Sequence, residues 1–472
     1  MTDAILVTGG RIIDPAQGLD TVGDVLIADG VVVSAGPVVG GPVDCPVVDA
    51  TGLVVTPGFI DLHVHLREPG QEDKETIATG ALAAVRGGVT TVCAMPNTEP
   101  AMDNAAVIRH VMEAAEQAGL ARVLPIGCVS RGRAGKELAD MGEMAEAGAI
   151  GFSDDGAPVA DPTLMRNALT YSTITGLPVI NHCEEPSLAK DGVLHEGWVA
   201  SRLGLPGQPA AAEETMVARD IELAGLTGGK LHIAHSSTEG TIAMLRQAKA
   251  AGKANVTSEV TPHHLLLTEE WALGGIEGGV GELTAPDPYG PLTRTAYDTR
   301  AKVNPPLRTE DDTLALVEGL RDGIIDAIAT DHAPHTATDK SCTMQEAAFG
   351  ISGLETAFGL CYSLVDRGDL DLPTLIARMT TGPARVLGAD TAEAAEASGL
   401  PLLGTLQPGA AGDVTLLDPD AEWAVDTSGF ASKGRNTPLE GITLQGRVIK
   451  TIVGGRLVHD ALAGDTGEAD GK

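Results

Sequence analysis

The run GFIDLHVH at 58–65 decides the fold. It is apolar through Phe59, Ile60 and Leu62 and ends on two histidines two residues apart. Side chains two apart on an extended strand share a face, so His63 and His65 point the same way. Seven later runs repeat the apolar-first, polar-last pattern: VTTVCAMPN (89–97), RVLPIGCV (122–129), AIGFSDD (149–155), LPVINHC (177–183), KLHIAHS (230–236), NVTSEVT (255–261) and IIDAIATDH (324–332). Between them lie stretches with helical spacing, such as 74–88, 102–119, 164–176 and 241–252. Strands alternating with helices imply a parallel sheet. Eight such units predict an α/β fold, a (β/α)8 barrel of TIM type over 58–400. Such barrels keep their active sites at the carboxyl ends of the strands, where the polar residues of these runs fall.

The flanks read differently. Residues 1–57 and 401–460 hold short Val- and Ile-rich runs punctuated by Gly, Pro and Asp, the pattern of hairpins. They predict a small composite β domain formed by both chain termini. Residues 461–472 are small and polar and are expected to form a flexible tail. The stretch 272–301 is rich in Gly, Pro and Thr, and is expected to be a surface excursion or a mobile lid. No Gly-Lys-Ser/Thr precedes a helix there, so it is not a phosphate loop.

Composition bounds the partners. The chain has 472 residues, 43% hydrophobic, 3% aromatic and 21% charged, so its core must be aliphatic. Lys+Arg 32 against Asp+Glu 65 leaves −33. That balance argues against nucleic acid and anionic membranes, which bind through Lys and Arg. The six cysteines include no Cys-x-x-Cys, so neither a disulfide framework nor a structural zinc site is expected. No signal peptide and no long apolar span are apparent, and a cytoplasmic protein is expected.

The strand ends carry the chemistry. They supply His63, His65, the pair Asp154 and Asp155, His182, His235 and Asp331. His232, three before His235, faces the other way and reads as a satisfied histidine. Cys183 reads as packing. The aspartate pair alone would suit a turn or a helix cap. Neighbours on an extended strand face opposite ways, so one of the two is free to join the histidines. Four imidazoles and two carboxylates exceed the three protein ligands and a water typical of one catalytic zinc. They suit two metals, about 3.5–4 Å apart, sharing a carboxylate and a hydroxide. Asp331 is placed to carry the proton. There is no Gly-x-Ser-x-Gly elbow and no cysteine–base pair, so metal-assisted hydrolysis is the expected reaction class.

The segments GFIDLHVHLREPG, MPNT, FSDDG, NHCEE, HIAHSST, KVNPPLR, ATDHAPH and FGISGLET resemble the amidohydrolase superfamily, and within it the bacterial class I dihydroorotases. The resemblance covers nearly the whole chain. It implies interconversion of L-dihydroorotate and N-carbamoyl-L-aspartate in de novo pyrimidine biosynthesis. It implies two zinc ions per chain, the second allowed partial occupancy. His63, His65 and Asp331 would bind the first and His182 and His235 the second, with Asp155, rather than Asp154, bridging beside a hydroxide. Substrate contacts carry over to Arg67, Asn97, Asn304, His335, Phe349 and Gly350, with His65 beside them. The Arg67 fork matches a carboxylate. Asn97 and His335 would act as donors, and Asn304 as both donor and acceptor toward the ring amide. The implied partners are a small-molecule substrate, a second copy in a homodimer, and aspartate transcarbamoylase. The stretch 272–301 departs from the family pattern by its length.

Hydantoinases, dihydropyrimidinases and allantoinases share this fold and the His-x-His. They typically bridge their metals with a carboxylated lysine near the fourth strand, and no lysine occurs from 137 to 189. A metal-free scaffold relative should have lost ligands, and none is missing.

Overall fold

Hairpin chemistry builds the N-terminal end. β1 (Ala4–Asp14) pairs antiparallel with β2 (Leu19–Ala28). Asp29 and Gly30, both at positive φ, turn β2 into β3 (Val31–Gly36). β4 (Val47–Asp49) and β5 (Val54–Pro57) lie parallel to β1. The computed structural model describes residues 4–37, 39, 45–252, 254–274 and 296–462.

The central strands are parallel. β6 (Phe59–Val64) and β7 (Val89–Ala94) are buried along their whole length, as expected of strands covered on both faces, and β8 (Arg122–Pro125) completes their sheet. β9 (Val179–Asn181) follows, and then a small parallel pair, β10 (Leu194–His195) and β11 (Gly207–Gln208). β12 (Lys230–Ile233), β13 (Asn255–Val260) and β14 (Ala327–Ile328) join β9 in a second parallel sheet, in the order β14-β13-β12-β9. Single parallel bridges link the two sheets on both sides. Phe152 pairs with Gly127 and with Val179, and Val64 pairs with His332.

The run 149–155, expected as a strand, is thus reduced to one bridging residue. Its backbone is bonded on both sides at Phe152, through Phe152 N–H to the Pro178 carbonyl and Ile180 N–H to the Phe152 carbonyl. The chain then turns away, because Asp154 accepts from the Ser130 N–H at 3.0 Å and from its hydroxyl.

Helices occupy the connections, with ends set by capping chemistry. Thr76 and Thr79 form a capping box at Ile77–Arg86, and Asn104 caps Ala105–Ala118, which ends on a left-handed Gly119. β15 (Val414–Ala424), β16 (Thr443–Val453) and β17 (Arg456–Asp460) bring the chain back. β15 pairs antiparallel with β5, so one eight-stranded sheet draws on both ends of the chain. The core is aliphatic. Ile60, Leu62, Met95, Ile126 and Ile180 form one cluster across the parallel strands, and Ile12, Val25, Ile27, Leu416 and Ile452 another within the terminal sheet. Each such side chain contributes about 1.5–3 kcal/mol when fully buried.

Of the stretch 272–301, residues 275–295 lie outside the described residues, as does 463–472 of the tail. The described ends of the former are 3-10 turns, Glu269–Leu273 and Thr299–Ala301. Among the described residues no helix is long and apolar enough to cross a membrane.

Candidate metal centre

The strand ends converge. The alternation of β6 turns His63 and His65 to one side, and both are buried. Asp155 lies between them and a second pair. Its Oδ2 is 3.4 Å from His63 Nε2 and 3.5 Å from His65 Nε2. Its Oδ1 is 3.4 Å from His235 Nε2 and 3.6 Å from His182 Nδ1. His63, His65 and Asp155 form one group that could hold a metal ion, and Asp155, His182 and His235 a second. Asp331 flanks the first group, its Oδ1 2.9 Å from His65 Nε2 and 3.5 Å from His63 Nε2. Asp154 takes no part: its carboxylate is held by Ser130.

The backbone is bent to reach these positions. Arg67, His235 and Asp331 all have positive φ, at 62°, 31° and 46°. Non-glycine residues rarely adopt such angles, and strain of this kind concentrates at functional sites.

The cluster is short of positive charge. Burial disfavours a charged His63, yet Asp155, Asp331 and Glu259 outweigh it and hold its pKa well above the usual imidazole range. His182 is pushed up to about 10, burial again being overcome, here by Asp155 and Glu184. Asp155 is held well below the usual carboxylate range because His63, His182 and His235 outweigh its burial. Carboxylates that keep protons on buried imidazoles offer the same place to a cation. His63 Nε2 and Asp155 Oδ1 are moreover buried without a hydrogen-bond partner. Buried polar atoms are normally satisfied, and a metal would satisfy both. The imidazole and carboxylate donors fit that role.

The expected substrate-side residues gather beside the cluster. Arg67 is buried, donates from Nε to the Pro334 carbonyl at 3.3 Å, and has its pKa pulled down to about 10 by burial. Asn97 Oδ1 accepts from His65 Nδ1 at 2.7 Å, leaving the amide nitrogen as its other side-chain polar group. Asn304 donates to Glu184 Oε2 at 2.6 Å. The His335 Nε2 lies 2.8 Å from the Phe349 carbonyl and 3.3 Å from Arg67 Nη2. Burial, with Arg67 and Lys340 nearby, pulls the His335 pKa to about 3, so the ring is neutral. Phe349 is partly exposed, with Lys302 Nζ 4.2 Å from its ring centroid. Gly350 is packed so closely that an added Cβ would lie 2.6 Å from the Ala333 Cβ.

Three residues escaped the sequence reading. Glu184 binds Asn304 and also accepts from Gln208 Nε2 at 2.9 Å. Asn436 ties two segments together, donating to the Ala333 and Gly350 carbonyls and accepting from His335 N–H. It lies 101 residues from His335, and no local pattern marks it. Glu259 accepts from His63 Nδ1 at 2.6 Å. Its signal was available: β13 is a polar-ended strand to which no role was attached.

Known proteins share this fold. The L-hydantoinase (dihydropyrimidinase) from Arthrobacter aurescens matches with a TM-score of 0.79 at 24% identity, over 98% of this chain and 96% of its own. The dihydropyrimidinase from Brevibacillus agri NCHU1002 matches at 0.76 and 21%, over 97% and 95%. At that identity the likeness is one of fold. A family model described as dihydro-orotase-like matches residues 52–241. The dihydroorotase of Anaeromyxobacter dehalogenans (strain 2CP-C) is 51% identical over 460 residues, 98% of this chain and 99% of the relative. That of Pelotomaculum thermopropionicum is 50% identical over 455 residues, 96% and 98%. Fold and site together make this a cyclic amidohydrolase. Within that class, the chain belongs to the dihydroorotase family.

Proposed function

We propose that the chain is a zinc-dependent dihydroorotase that interconverts L-dihydroorotate and N-carbamoyl-L-aspartate in de novo pyrimidine (UMP) biosynthesis. The observation that carries this is Asp155, which turns one oxygen toward each histidine pair in a chain half identical to dihydroorotases. His63, His65 and Asp331 would hold one ion and His182 and His235 the other, with Asp155 shared. The all-N/O donor set suits zinc. When bound, such a pair lowers the pKa of a coordinated water and polarises an amide carbonyl.

The remaining work falls to the side chains. Hydrolysis breaks the ring C–N bond; the carbonyl carbon gains a hydroxyl and the nitrogen a proton. The Asp331 carboxylate takes the proton from the attacking water and delivers it to the leaving nitrogen, and ring closure runs the reverse. Arg67 holds the substrate carboxylate with the N–H groups not turned to Pro334. The Asn97 amide nitrogen and the His335 ring supply hydrogen bonds that fix the substrate's orientation. Glu184 fixes the Asn304 nitrogen, so Asn304 presents its oxygen to the ring N–H. Phe349 and Gly350 shape the wall.

The same reading divides the chain into a closed (β/α)8 barrel at 58–400, a β domain from 1–57 and 401–460, and a tail at 461–472. The bridges at Phe152 and Val64 support ring closure, and the β5–β15 pairing supports the composite domain. A cytoplasmic homodimer and a complex with aspartate transcarbamoylase belong to it too. Sizing of the chain alone and with that enzyme tests both assemblies. Substrate identity is tested by a spectrophotometric assay of L-dihydroorotate hydrolysis, with hydantoin and allantoin alongside. Dihydroorotate is expected to turn over far faster than the other two. Faster turnover of either control would contradict the assignment.

A further inference from the structure

We propose that Glu259 is a positioning residue for the His63–His65 metal site, fixing His63 in the tautomer that presents Nε2 to the ion. This rests on the two-metal reading above. Glu259 is 0% exposed, near the end of β13, a strand that supplies neither a proposed ligand nor a substrate contact. Its two oxygens meet two imidazoles from different strands. Oε1 is 2.6 Å from His63 Nδ1, and Oε2 is 3.1 Å from His232 Nε2. The Thr257 hydroxyl is 2.8 Å from His232 Nδ1.

The donors then order themselves. A carboxylate only accepts, so both facing ring nitrogens carry hydrogen. On His232 that leaves Nδ1 to accept from Thr257. On His63, once an ion takes the place of the second proton, it leaves Nε2 as the lone pair, and this is the buried atom without a hydrogen-bond partner, turned to Asp155 and Asp331. Carboxylate–imidazole–metal units of this kind set ring orientation and raise the basicity of the ligand. Glu259 Oε1 also lies 3.4 Å from the His235 N–H, but no oxygen of Glu259 meets the His235 or His182 ring. Its effect should therefore fall mainly on one of the two ions. His232 holds the carboxylate from the far side, which gives that histidine a role beyond packing.

The test is metal retention. Wild-type and Glu259→Gln chains, loaded with zinc, are dialysed against a graded series of a weak chelator and assayed for metal per chain. Removing such a partner typically costs about 10–100-fold in metal affinity. The Gln variant is expected to fall to one ion per chain at a chelator level about 10–100-fold below that for wild type, and to keep the second ion as wild type does. With cobalt in place of zinc, the first-site absorption bands should shift or weaken. The metal-free chains should melt within a few degrees of each other, which separates positioning from folding. Equal retention of both ions by the Gln variant would overturn the proposal. Should that variant fail to fold, His232→Gln, which leaves Glu259 without its outer support, gives the same reading. Easier loss of one ion supports the proposal, and unchanged retention overturns it. A wild-type chain that never holds two ions contradicts the underlying metal reading instead, before any variant is made.

Discussion

Asp155 and Asp154 are neighbours with opposite fates. The backbone turn after Phe152 sends one carboxylate to Ser130 and the other between four imidazoles. Asp155→Ala is therefore expected to lose at least one metal and nearly all activity, while Asp154→Ala keeps both metals. Elemental analysis of the two variants decides, and a reversed pattern would sink the bridge. Arg67 is a buried cation that Asp331, Asp155, Asp339 and Glu75 favour electrostatically. As a clamp on the substrate carboxylate it should cost about 2–4 kcal/mol in kcat/KM when changed to Ala, the range of a broken buried charge pair. Arg67→Lys should also be impaired, because an ammonium cannot reproduce the fork. Steady-state kinetics with unchanged kcat/KM for Arg67→Ala would remove it from the site.

At the scale of elements, most of what the sequence shows is periodicity, and periodicity found the strands. Seven of the eight apolar-first runs carry regular strands, because a strand covered on both faces must be apolar throughout. The eighth keeps ladder-type backbone bonds at Ile150, Phe152 and Ser153 but only one bridging residue, and it ends where the Asp154 side chain takes the Ser130 N–H. Convergence of His63, His65, Asp155, His182 and His235 was legible because parallel strands put their polar ends on one side. Glu184 and Asn436 were not, because their roles depend on partners fixed only by tertiary packing, and Glu259 was legible only as a polar strand end without its partner. The segment around Phe349 is a further case. Lys340 is buried, and its Nζ donates to the carbonyls of Ala348 at 2.7 Å, Thr299 at 3.1 Å and Lys302 at 3.2 Å. Gly350 N–H in turn donates to the Lys302 carbonyl at 3.0 Å. One ammonium thus staples the chain before Asn304 to the segment of Phe349 and Gly350. Lys340→Met keeps the bulk and loses all three bonds. It is expected to raise KM by roughly 5–30-fold, the equivalent of 1–2 kcal/mol, with kcat little changed. An unchanged KM would show that the segment holds its place without the staple.

At the scale of the molecule, the two ends of the chain close on each other and on the parallel strands. Arg122, at the start of β8, pairs with Asp413 at 2.7 Å, and the Thr415 hydroxyl donates to the Gly88 carbonyl at 2.6 Å. The texture of the flanks announced a shared sheet, but not that β15 would be placed against β5, a pairing across some 360 residues that no local pattern encodes. On this reading the whole scaffold holds two metals on one aspartate to open the dihydroorotate ring. This is tested most directly by stripping the chain of metal and titrating zinc back while following L-dihydroorotate hydrolysis, with no bicarbonate present. Activity is expected to return as the second equivalent binds, and added bicarbonate to change nothing, since no lysine lies between 137 and 189 to be carboxylated. Full activity at one equivalent or less, or recovery only when bicarbonate is supplied, would contradict it.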